Sequence, residues 1–124
     1  MKYQILLLFL FCIGCKNTSH TQTVAQDLDT LVKNELGSPT SSDNNKNNDY
    51  TIYRVEEDNN TNYPKIKYLI TNNNTHEIVK KGFIKMGYIK WTGDYTIEIL
   101  DLPGALPGDK SIKDYKSIIN LNQK

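Results

Sequence analysis

Residues able to act as nucleophiles, acid–base groups or metal ligands are few in this 124-residue chain, and they are scattered. The cysteines are Cys12 and Cys15, and the histidines are His20 and His76. His76 stands beside Glu77. Neighbours on a strand point to opposite faces, so that pair cannot chelate one ion without a bulge. A nucleophilic triad needs Ser or Cys, His and a carboxylate within hydrogen-bond reach. Ser19, Ser38, Ser41 and Ser42 fall in polar stretches, and Ser111 and Ser117 lie near the C-terminus. None stands in the strand–turn–helix context of a nucleophile elbow. Carboxylate pairs for acid–base work would come from Glu56 and Glu57 or from Glu77 and Glu98. Nothing in their spacing separates them from solvated strand residues. Gly93, Gly104 and Gly108 read as turn glycines and not as a phosphate loop. The expectation is no catalytic residue, no cofactor, no metal site, and a chain that is not an enzyme.

Charge narrows the partners. Fifteen basic against fourteen acidic residues give a net charge of +1. A nucleic-acid binder needs a clustered basic excess to neutralise phosphates, so no nucleic-acid partner is expected. Lys65, Lys67, Lys80, Lys81, Lys85 and Lys90 would make one side of a sheet basic. That face reads either as a patch for an anionic lipid, glycan or acidic partner or as a solvated face that discourages edge pairing. Eight tyrosines, three phenylalanines and one tryptophan make the chain fairly aromatic. Tyr50, Tyr53 and Tyr63, if exposed in a row, would stack on sugars or anchor a protein interface. The competing reading is aromatic packing in a thin core.

The N-terminus reads as an address. Lys2 is followed by an apolar run from Ile5 to Ile13. Nine residues at 1.5 Å rise cover about 14 Å, too short for a bilayer core of about 30 Å. A charged start, a short apolar run and a small residue form the order of a secretory signal peptide. The small residue is Gly14, and Cys15 follows it. Cys12-Ile13-Gly14-Cys15 resembles the lipobox of bacterial lipoproteins, in which a small residue precedes an invariant cysteine. Cys12 departs from the pattern, because Leu usually occupies that first position. The resemblance implies cleavage after Gly14, diacylation of Cys15 on sulfur and acylation of the new amino group. Two or more acyl chains anchor stably where one gives marginal binding. Processing would remove Lys2 and bring the net charge to zero. It would also leave no free thiol and no disulfide, so the domain must fold on packing alone.

Residues 15–49 read as a lipidated flexible tether, because their polar composition cannot offset the entropy of ordering. Within it, Val24, Leu28, Leu31, Val32 and Leu36 fall at helical spacing. Gly37 is a stop signal and Pro39 lies beyond it. A short amphipathic helix over 24–36 is expected, marginal in water unless it docks. As a coil, 34 tether residues would span about 30–35 Å. Asp29-Thr30-Leu31 resembles the short Asp-Ser/Thr-aliphatic pattern of protein O-glycosylation in Bacteroidota, which would make Thr30 a glycosylation site.

Residues 50–124 form the expected folded part. Tyr50 to Val55 reads as a strand. Pro64 to Thr71 alternates, with Ile66, Tyr68 and Ile70 on one face. Asn72-Asn73-Asn74 is a turn signal, and Thr92-Gly93-Asp94 a hairpin signal. Glu77 to Trp91 is one long extended stretch, in which Gly82 and Gly87 would mark bulges. Tyr95, Ile97 and Ile99 alternate after it. At 109–121 the pattern fits either a helix, capped by Asp109 or Ser111, or an edge strand. The helix is favoured, because a single sheet needs something to cover its apolar face. The fold class is therefore mainly β, with α+β as the variant: a small antiparallel β-meander of four to five strands, covered by a C-terminal helix and preceded by the tether. Trp91, Tyr68, Phe83, Tyr88, Tyr95, Ile97 and Ile99 are the expected core.

These readings converge on a small envelope lipoprotein, membrane-anchored through Cys15 on the outer membrane facing the periplasm. Its domain would be a non-catalytic module binding a protein or glycan partner. The alternative is a periplasmic inhibitor or immunity-type protein directed at a toxin or hydrolase.

Overall fold

A computed structural model describes residues 27–57 and 64–122. The segment 1–14 expected to be a signal peptide, and Cys15, His20, Val24 and Tyr63, lie outside the described residues. The chain is mainly β, as its β-branched and aromatic composition predicts. Helix α1 spans Leu28–Leu36, and strands β1 to β4 are Ser41–Asn44, Tyr50–Glu57, Lys65–Asn72 and Glu77–Ile84. Strands β5 and β6 are Gly87–Trp91 and Thr96–Asp101. A 3-10 turn at Ile112–Tyr115 leads into β7, Lys116–Asn120.

The meander divides into two antiparallel sheets, β1-β2-β3-β4 and β5-β6-β7. The expected continuous strand from Glu77 to Trp91 breaks at residues 85–86, and its second half joins the other sheet. Gly87 permits that corner: a Cβ there would overlap the Leu100 carbonyl. The register of β3 with β4 shifts between Ile70 and Thr71, leaving Val79 as the extra residue of a bulge.

Alternation builds the core. Ile52 on β2, Ile66, Tyr68 and Ile70 on β3, and Ile84 on β4 face Ile89, Ile97 and Ile99 of the second sheet. Trp91, Ile119 and Leu121 pack at its margin. Seven isoleucines dominate this cluster, each contributing about 1.5–3 kcal/mol when fully buried. β5 begins two residues beyond the end of β4, yet the Trp91 indole N–H donates to the Asp43 carbonyl on β1 at 3.1 Å. Midway, the Ile89 carbonyl accepts from Arg54 on β2. β5 therefore crosses the four-stranded sheet from β4 to β1. Three strand spacings of about 4.8 Å match the length of a five-residue strand at about 3.3 Å per residue, as in orthogonal sheet packing.

Several expectations are corrected. Within the stretch expected to be a tether, Leu28–Leu36 and Ser41–Asn44 belong to the fold as α1 and β1. Val32 is buried over the outer face of β2 and β3, where Leu69 is fully buried. That contact gives a marginal helix the docking it needs, and α1 runs 28–36 within the expected 24–36. Gly37 ends it at φ 87°, its N–H donating to the Lys33 carbonyl at 3.0 Å. β1 carries no apolar residue and is held by backbone pairing with β2. The C-terminal helix is absent from the described residues; only the 3-10 turn forms, with Ser111 and Asp114 as a capping box. β7 instead pairs with the outer edge of β6 and turns Ile119 inward. The apolar face that was to be covered by that helix is covered by the second sheet. Of the expected core residues, Phe83 is 42% exposed, Trp91 is half-buried, and Tyr88 and Tyr95 are half-buried with their hydroxyls bonded to Glu98 and Asp49.

Candidate interaction site

α1 lies across the outer face of the four-stranded sheet and leaves a groove along each side. The larger, about 330 Å³, runs toward β4. Its floor is Leu69, its walls are Leu36 of α1 and Phe83 of β4, and Lys67 and Lys81 border it. The Lys81 ammonium lies 2.7 Å from the Glu35 carboxylate, and Lys67 lies 3.0 Å from Glu57. The second groove, about 300 Å³, is lined by Asp29, Val32, Lys33, Pro39 and Tyr53. Burial pushes the Tyr53 phenol above its ordinary range, with the Asp29 charge adding to it. Both grooves pair apolar lining residues with charged ones at the border.

Three hairpin loops meet at one end of the molecule. Asn45, buried at 4%, accepts from the Asp49 and Tyr50 N–H groups at 2.8 and 3.0 Å. Its amide donates to the Asp94 carbonyl at 3.0 Å. The Asn73 amide donates to the Asn48 carbonyl at 2.8 Å, and Tyr95 donates to Asp49 at 2.7 Å. That bond to Asp49 raises the Tyr95 phenol above its ordinary range. Tyr50 meets the Tyr95 ring edge-on at 6.2 Å. Among the described residues no buried side-chain nitrogen or oxygen lacks a partner, so this polar end serves the loops themselves.

On the outer face of the three-stranded sheet, Tyr88 donates to Glu98, and Lys116 and Lys90 lie 3.3 and 3.8 Å from that carboxylate. Lys90 also sits 4.7 Å over the Tyr88 ring. The Tyr88 hydrogen bond first, and the two lysines after it, hold Glu98 below the usual carboxylate range. Lys116 is raised in turn by Tyr88 and Glu98.

The sequence-level candidates are dispersed by the fold. His76 is an exposed turn residue at φ 57°, its N–H donating to the Asn72 carbonyl at 2.9 Å. Glu77 and Glu98 stand on different sheets, and Glu56 and Glu57 are consecutive residues of β2. Ser111 is spent on a cap and Ser117 lies on β7. Tyr50 and Tyr53 do not form a row, since one reaches the loop end and the other faces α1. The basic face is split: Lys67 and Lys81 border the groove, whereas Lys90 belongs to the other sheet. Thr30 is exposed on α1. Among the described residues no group of three metal-capable side chains gathers, and no helix is long and apolar enough to cross a membrane.

Sequence reasoning did not find Arg54, the only arginine, which is 8% exposed between the sheets. Its Nη2 and Nε donate to the Ile89 carbonyl at 2.9 and 3.3 Å, and its Nη1 lies 2.8 Å from Asp43. A single arginine inside a strand otherwise rich in apolar residues was the available signal. No protein-family model, no curated protein and no solved structure matches the chain.

Proposed function

We propose that this chain is a lipid-anchored envelope protein whose β-sandwich is a non-catalytic binding module acting through the groove between α1 and β4. The observation that carries the binding role is that groove, an open apolar cleft with Phe83 exposed beside it. Exposed apolar surface rimmed by charge marks interaction sites. The anchoring role rests on the Lys2, Ile5–Ile13, Gly14-Cys15 pattern. Cys15 carries the lipid, on an outer membrane facing the periplasm. From Cys15 to Leu28 the chain reaches at most about 45 Å, so the sandwich works close to the bilayer.

Two experiments test this. Cys15→Ala should abolish incorporation of labelled palmitate and move the protein out of the detergent phase; retained label and retained membrane partition would refute the anchor. Phe83→Ser should leave the melting temperature within a degree or two and reduce recovery of the partner by full-length tagged protein. Recovery equal to that of the native chain would refute the groove. The class of the recovered partner decides between an envelope accessory role and inhibition of a toxin or hydrolase.

A further inference from the structure

Building on the binding-module reading, we infer that the partner is an acidic, extended peptide segment that adds to the outer edge of β4, beside the groove, as a fifth strand. β4 ends the strand order of its sheet, and among the described residues nothing pairs with its outer side. Such an edge presents unpaired N–H and C=O groups that template another strand. The bulge at Val79 blunts its first part. From Lys80 to Ile84 the register against Ile70 through Ile66 is regular, so five residues are available for pairing.

The side chains of that segment select the partner. Lys80 and Lys81 lie within it and Lys85 follows, all exposed. A second copy pairing antiparallel over Lys80–Ile84 would set Lys80 opposite Ile84 and Lys81 opposite Phe83, so it would bring two more lysines to the edge and no carboxylate to meet them. A strand carrying carboxylates opposite Lys80 and Lys81 gains cross-strand attraction instead. Phe83, 42% exposed, asks for an apolar residue opposite it on the added strand. Glu35 already shows how a carboxylate is received, at 2.7 Å from Lys81. It occupies the lysine that an incoming acid would use, so it competes with the ligand.

The probe is the peptide Thr-Ile-Val-Thr-Glu-Glu-Thr, titrated into the full chain in a non-ionic detergent and followed by backbone amide shifts. Shifts should concentrate on residues 80–85 and on α1, and the counterpart with Lys-Lys in place of Glu-Glu should bind about fivefold or more weakly. The double change Lys80→Glu and Lys81→Glu should reverse that preference. Glu35→Gln should tighten the acidic peptide, an effect that a purely structural role for Glu35 would not produce. Equal binding of both peptides, shifts centred on β7 or the loop end, or weaker binding by Glu35→Gln would each overturn strand addition. If the probe fails while partner recovery still depends on Phe83, strand addition falls and the binding module stands. If both fail, the binding module falls as well.

Discussion

Arg54 gives the sharpest test of how the two sheets are held together. Its side chain is 10% exposed and makes three polar contacts, two with the Ile89 carbonyl and one with Asp43. Arg54→Met keeps most of the stem volume and removes the charge. Relief of desolvation favours the variant, which is why apolar replacements of buried ion pairs are often tolerated. Against it, the Ile89 carbonyl loses both donors, at about 1–3 kcal/mol for a buried unsatisfied group. Asp43 is 59% exposed, and once solvated it forfeits under about 1 kcal/mol. The expected net loss is about 1–3 kcal/mol. Arg54→Ala also empties the space of the aliphatic stem and should lose about 2 kcal/mol more, at about 0.8 kcal/mol per methylene. Asp43→Asn leaves the guanidinium buried without its counter-charge, and the double variant with Arg54→Met should lose less than the two single losses together. Urea unfolding followed by the fluorescence of Trp91, the only tryptophan, gives the stability change from the midpoint at constant slope. If Arg54→Met and Arg54→Ala both stay within about 0.5 kcal/mol of the native chain, the cross-sheet tie is not energetically significant and the reasoning is wrong.

Other perturbations have definite outcomes. Gly82→Ala would place a Cβ 2.5–2.8 Å from the Tyr68 ring and hydroxyl, so a loss of about 1–3 kcal/mol in the same unfolding assay is expected; an unchanged midpoint would mean that Tyr68 moves freely. Trp91→Ala should lose about 2–3 kcal/mol, less than a fully buried tryptophan would, and Trp91→Phe about 1 kcal/mol for the lost bond to Asp43, both read by circular dichroism melts. Glu98 is held below its ordinary value of 4.5, first by Tyr88 and then by Lys116 and Lys90. A lowered carboxylate stabilises the fold fully above pH 4.5, and that contribution is lost as pH falls through the lower folded value. Melting temperatures of Glu98→Gln should therefore decline less steeply with acid than those of the native chain, and identical acid slopes would contradict the assignment.

The legible part of the fold is what local chemistry dictates. The Ile66, Tyr68 and Ile70 alternation placed β3 correctly, and all three are buried. The Asn72–Asn74 turn and the Thr92-Gly93-Asp94 hairpin formed where their backbone preferences put them, and Gly37 ended α1. What was not legible depends on partners distant in sequence. β1 has no apolar residue, so only its register with β2 makes it a strand. Ile118 and Ile119 fit helical spacing as well as extended spacing, and the open edge of β6 decided between them. Arg54 reads as a surface charge until Ile89 and Asp43 are seen beside it. Phe83 reads as core, yet it lies on an edge strand whose neighbour is the groove. The groove itself could not be anticipated, because the tether helix that forms one wall was expected outside the domain.

The most direct test of the central claim is site-specific photo-crosslinking in cells. A photoreactive residue at position 83, in the groove, is compared with one at position 118, where Ile118 is 60% exposed on the other sheet. A discrete adduct is expected at position 83, lost in the Lys80→Glu, Lys81→Glu background, and none at 118. Equal labelling at both positions, or no adduct at 83, would contradict it.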